Sequence, residues 1–232
     1  MNIKVCMTKP FSPPESDDCT LVVFKNGETI VTPEYESLFL SSCQKYAQKY
    51  QVYLVSCLYE SNGYLCMAMF DPQGNTLGVQ QATHLNLEYL RRLRPSDQVE
   101  ILATPIGNIF MSVDVDIYRP DVLRLAMFKG CDYIVSSQMF PLVDFSEERI
   151  LFGARSASVA NRMPVLQVTP FSSALMVPPE ISPDGSGFLV YPTGKPVTVQ
   201  FDWETAAISR KVLIDSLLSS SCFGRYRNIL EK

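Results

Sequence analysis

The sequence has a single histidine, His84, in 232 residues, no CxxC spacing among its cysteines, and no apolar run approaching the length of a membrane span. One histidine excludes a His-rich metal centre, and any Ser-His-Asp triad has to pass through it. Seven cysteines are present, Cys6, Cys19, Cys43, Cys57, Cys66, Cys131 and Cys222. They are odd in number and sit mainly inside apolar runs, so they read as small buried hydrophobes in a reducing compartment, with neither zinc nor a disulfide framework. There is no excess of basic charge. Lys and Arg number 20 against 24 Asp and Glu, a formal net charge of −4, so neither nucleic acid nor an anionic membrane is expected as a partner. The opening residues, MNIKVCMTKPF, run straight into a strand pattern with no signal-peptide core. These absences predict a cytoplasmic protein without cofactor or metal.

What is there is apolar. Hydrophobic residues make up 47% of the chain and aromatics 11%, enough for a thick, many-layered core and incompatible with disorder. No internal repeat or linker interrupts residues 1–232, which read as one domain.

The densest signal runs from Gly107 to Phe140, GNIFMSVDVDIYRPDVLRLAMFKGCDYIVSSQMF. A buried strand, an Asp-rich turn, a helix and a second buried strand follow without slack. Pro120 sets φ for a first helical turn, Val122, Leu123, Leu125 and Ala126 form the inward stripe, and Gly130 ends the helix. The first strand stops at Asp114-Val115-Asp116. A carboxylate at the end of a core strand needs a partner or a role, and open α/β sheets place their ligands at that edge. Asp116 and Arg119 either cap the helix or pair with each other.

Elsewhere, Ile3–Met7 and Leu21–Phe24 read as strands. Between them lies PFSPPESDDC, which Pro13-Pro14 keeps from being helical. Thr32 and Pro33 open a helix to Tyr50 with Leu38, Phe39, Cys43, Tyr46 and Ala47 on its apolar side. Val52–Cys57 and Tyr64–Phe70 form strands around the turn SNG. A helix spans Phe145–Asn161, with Ile150, Leu151, Ala154, Ala157 and Ser158 inward. Met163–Val168 is a strand, 170–187 a Pro-rich loop, 188–204 a hairpin, and Thr205–Ser219 a closing helix.

The central stretch resembles the nucleophile segment of the nitrilase superfamily of carbon-nitrogen hydrolases, roughly GxIGxxICYDxxxPExxRxLAxxGADxIxxPxxF. The segment YLVSCLYESNGYLCMAMFDPQGNTLGVQQATHL resembles that family's YxxxGxxExxxGxxYNxxxxxDPxGxxxxxxRKxHL. ARSASVAN is similar to its ARAxAxEN helix end, with Ala160 in place of the glutamate. The resemblance implies an α/β, four-layer α-β-β-α sandwich. The ten-residue loop PFSPPESDDC between the first strands leaves no room for the family's first outer helix, which is therefore expected to be missing. It also implies a homodimer, since family members pair through a helical face.

The family hydrolyses amides and nitriles with a glutamate base, a lysine and a cysteine nucleophile, a division of labour that general chemistry supports. In this chain those positions fall on Asn26, Ala82 and Asp114. Neutral Asn26 is no base, Ala82 has no donor, and a carboxylate is a poor nucleophile toward unactivated amides. The resemblance therefore implies a fold without its catalysis, a pseudoenzyme that binds a ligand or partner. The alternative is a hydrolase rebuilt on Asp114, with Glu60 or Glu28 assisting. The expected pocket comprises Asp114, Asn26, Glu60, Ala82, Val115 and Phe140, with Asn26 donating to Asp114 and Glu60 sharing a proton with it. Such a pocket prefers a small neutral or amine ligand. Lys25 should point away from Asn26, and His84 reads as structural.

Overall fold

Thirteen strands alternate with short helices over the residues that the computed structural model describes, 2–139 and 146–219. Parallel pairing organises the centre of each sheet, as expected where buried apolar strands feed crossover segments. In the first sheet β1 (Asn2–Thr8), β2 (Leu21–Phe24) and β3 (Tyr53–Val55) run parallel side by side. In the second, β8 (Gly107–Val113), β9 (Tyr133–Ser137) and β10 (Val165–Val168) do the same. The first sheet is completed by β13 (Val197–Asp202) beside β1 and by β5 (Tyr64–Phe70), β4 (Tyr59–Ser61) and β6 (Thr76–Gln81) beyond β3. The second has the order β12-β11-β10-β9-β8-β7.

Side-chain alternation then builds the layers. Odd-numbered residues of β8, Ile109, Met111 and Val113, meet Val5, Met7, Val23 and Met67 of the facing sheet in the inter-sheet core. The opposite face of the first sheet, with Val22, Phe24 and Leu54, is covered by α1 (Glu36–Tyr50) through Phe39, Cys43, Tyr46 and Ala47. The outer face of the second sheet, with Phe110, Ile134 and Val165, is covered by α2 (Pro120–Phe128), by the helical segment Glu147–Asn161 and by α5 (Trp203–Ser219). The result is the α-β-β-α sandwich. Only turns and bends lie between β1 and β2, so the first outer helix is absent as expected. No helix among the described residues is long and apolar enough to cross a membrane.

Several expectations are corrected. Leu38 and Leu125 are exposed, at 69% and 38%, because the buried stripes of α1 and α2 run through their neighbours instead. The strand expected from Val52 to Cys57 is broken after Val55, and β4 supplies the partner for β5 across the turn. A strand, β11 (Ser173–Met176), lies inside the stretch read as a loop, held by β10 and β12 (Phe188–Thr193). Its apolar residues needed two remote partners to become a strand, and no local signal carries that. The expected 188–204 hairpin is no hairpin. β12 pairs with β11 in one sheet and β13 with β1 in the other, so the chain crosses between sheets at its turn. The helix to Asn161 contains α3 (Glu147–Ile150), a wider π-type turn (Leu151–Arg155) and α4 (Ser156–Asn161), with Ala154, Ala157 and Ser158 buried. Phe145 and Cys222 lie outside the described residues.

Candidate functional site

β2, β8 and β9 all end at the same edge, where the chain turns out of parallel strands and leaves backbone groups to be satisfied. β8 stops at Val113, and Asp114 follows with φ +50°. That left-handed conformation is uncommon for an L-residue, though Asp tolerates it better than most. It lifts the Asp114 side chain off the strand end as a 3-10 turn, Asp114–Tyr118, begins. The carboxylate is buried. One oxygen accepts from the Met139 amide at 3.1 Å and the other from Asn86 Nδ2 at 3.4 Å.

Burial dominates the charge state of Asp114. Desolvation pushes its pKa from the usual 3.8 up to about 7; the Met139 amide opposes the shift and the neighbouring Asp116 adds to it. Asp116 is also raised, by burial, against donors from Thr83 and His84. It neither caps α2 with its side chain nor pairs with Arg119. Its oxygens accept from the Thr83 amide and hydroxyl and from the His84 amide and ring, at 2.9, 2.7, 2.8 and 3.3 Å.

Asn26, just beyond β2, is spent on the fold. Its Nδ2 donates to the Gln138 carbonyl at 2.7 Å, and its Oδ1 accepts from the Leu58 amide at 2.9 Å and the Ser137 hydroxyl at 3.2 Å. Leu58 belongs to the first sheet's side and Ser137 to β9, so one amide joins the two sheets. A carboxylate could accept both bonds but could not donate to Gln138. The expected bond from Asn26 to Asp114 is therefore not made. Asn86 makes it instead, from a loop in which no sequence signal marks it.

Glu60 is buried and forms an ion pair with Arg92, whose guanidinium lies 5.3 Å from the Tyr89 ring centre. Glu60 thus has its own cation, and the charges that act on Asp114 are Asp116, Arg149 and Glu88 instead. The Tyr89 hydroxyl feels both acids, its pKa raised by burial first and by Asp114 next. Ala82 is buried in the inter-sheet core, its amide bonded to the Leu65 carbonyl. Val115 is half-buried, and Phe140 lies outside the described residues. Glu28 is exposed, and the bonds to Asp114 come from Met139 and Asn86. Lys25 is buried and turns its ammonium to the Gly194 carbonyl at 3.3 Å, away from the bonds of Asn26 as alternation predicts. His84 is tied to Asp116, in keeping with a structural role. No group of three metal-ligating side chains occurs among the described residues.

Residues 13–216 match the family model described as carbon-nitrogen hydrolase. No curated protein matches the sequence. The fold is similar to a carbon-nitrogen hydrolase from Helicobacter pylori, with a TM-score of 0.75 and 17% identity over 100% of this chain and 99% of the other. It is equally similar to Saccharomyces cerevisiae Nit3, a nitrilase superfamily member, with a TM-score of 0.75 and 17% identity over 95% and 96% of the two chains. An amidase from Nesterenkonia sp. AN1, solved with the acetamide moiety of fluoroacetamide added covalently at its active-site cysteine, aligns with a TM-score of 0.68 and 13% identity over 92% and 96%. At these identities the structures show a shared fold.

Proposed function

Because the chain belongs to the carbon-nitrogen hydrolase family, we propose that it is a member that keeps the sandwich and not the hydrolysis, acting in the cytoplasm as a ligand-binding or interaction protein, in homodimeric form. The observation that carries this is the Asn26 amide. At the position where the family's base is expected, one side chain makes three bonds that hold the two sheets together. Such a group is neutral and already committed, so it has no proton-accepting role to offer. Ala82 brings no cation, and the Arg149 charge that acts on Asp114 does not offset its burial. Removing a base, an electrophile and a thiol together removes a unit worth about 10⁶ in rate.

One observation favours the second reading, a hydrolase rebuilt on Asp114. A carboxyl raised to about 7 is poised for acid-base work at neutral pH. Covalent trapping tests the form of that reading in which Asp114 is the nucleophile. Incubation with fluoroacetamide, followed by peptide mass mapping, is expected to leave the peptide carrying Asp114 unmodified. An ester adduct on Asp114 would establish a nucleophile there and overturn the proposal.

A further inference from the structure

A cleft of about 280 Å³ is lined by Thr83 and His84 after β6, by Ser96, Asp97 and Val99 before β7 (Ile101–Thr104), and by Asp121, Val122 and Leu125 of α2. Its polar side is organised from beneath. Asp116 is wholly buried and takes bonds from the Thr83 hydroxyl, the His84 amide and His84 Nδ1 on the same oxygen. Thr83 Oγ1, its own hydrogen given to Asp116, lies 3.0 Å from Nδ1, so Nδ1 faces two acceptors and is the nitrogen that holds the proton in the neutral ring, with Nε2 as the acceptor on the opposite edge. The His84 side chain is one-third exposed.

The other groups on the rim are acceptors too. Asp97 and Asp121 are exposed carboxylates; Asp97 holds one bond, from Gln98 Nε2 at 2.7 Å, and so retains acceptor capacity. Lys129, donating to the Val99 carbonyl at 2.8 Å, offsets part of this charge but leaves the rim net negative. The wall is apolar, built by Val99, Val122 and Leu125. Leu125, an aliphatic side chain 38% exposed on a helix whose neighbours are buried, gains a reason as part of that wall.

Acceptors lining one cleft beside an apolar wall suit a donor-only cation with a short hydrocarbon tail. We propose that this cleft binds a small primary alkylammonium ion, its N–H donors meeting His84 Nε2, Asp97 and Asp121 and its chain lying on Val99, Val122 and Leu125. This site is separate from the Asp114 centre and stands or falls independently of the function proposed above.

His84 is the sole histidine, so its ring gives a single, unambiguous NMR reporter. The imidazole ¹⁵N and ¹H shifts are followed while n-butylammonium chloride is added at constant ionic strength, with sodium butyrate as the control. The expected result is a saturable shift with a dissociation constant on the order of millimolar. Affinity is expected to fall roughly ten-fold in Asp97→Asn/Asp121→Asn, both exposed positions, and to persist in Asp114→Asn. A drift that does not saturate, an equal response to butyrate, or undiminished affinity in the double variant would overturn the site.

Discussion

Two buried aspartates stand at opposite edges of the second sheet, Asp132 before β9 and Asp114 after β8, and they are treated differently. Asp132 has a full set of partners: Arg210 Nη2 at 2.7 Å, the Asn108 amide at 2.8 Å, and a second Arg210 bond to its carbonyl at 3.0 Å. Asp114 has one amide at 3.1 Å and one side-chain amide at 3.4 Å. Residue type and strand are held nearly constant, so the contrast isolates position. The amino-terminal edge is tied shut by charge, and the carboxyl-terminal edge keeps a carboxyl that burial brings close to balance between its protonated and ionised states near neutrality.

The sharpest break of that contrast is Arg210→Met, which strands a buried charge at Asp132. A loss of about 3–5 kcal/mol is expected in denaturant unfolding, with much of it recovered in Arg210→Met/Asp132→Asn. The corresponding change at the other edge acts in the opposite direction. Asp114 is raised from 3.8 to about 7, so the unfolded chain ionises first. Stability is full below about pH 4, falls as pH rises through the window between the two values, and carries the whole penalty above about pH 7. Asp114→Asn should flatten that dependence and gain on the order of 2–3 kcal/mol at pH 8, measured as unfolding free energy at pH 4 and 8. A smaller effect is expected of Asn26→Ala, which leaves the Leu58 amide and Gln138 carbonyl without partners, at about 1–3 kcal/mol. Its slope with pH should match the parent's, since Asn26 does not touch Asp114.

The same contrast explains how far the sequence could be read. The β8-turn-α2-β9 unit was legible because its signals are local: an apolar run, Pro120 at a helix start, and Gly130, at φ +86°, at its end. The burial of Asp114 and the direction of its shift followed from that unit. Its partners did not, because Asn86 lies 28 residues from Asp114 and Met139 lies 25, and the use of Asn26 was hidden likewise by the 112 residues between it and Gln138. The like charge expected beside it, Glu60, is paired instead with Arg92, 32 residues along in a loop. β11 and the β12–β13 crossover were missed for the same reason: which sheet a short strand joins is decided by remote neighbours and not by its own pattern.

The measurement that bears most directly on the account is turnover on simple amides, nitriles and N-carbamoyl compounds by the purified chain and by Asp114→Ala. The account predicts no hydrolysis above background in either. A turnover near about 1 s⁻¹, at the low end of ordinary enzymes, present in the parent and lost in Asp114→Ala, would contradict it.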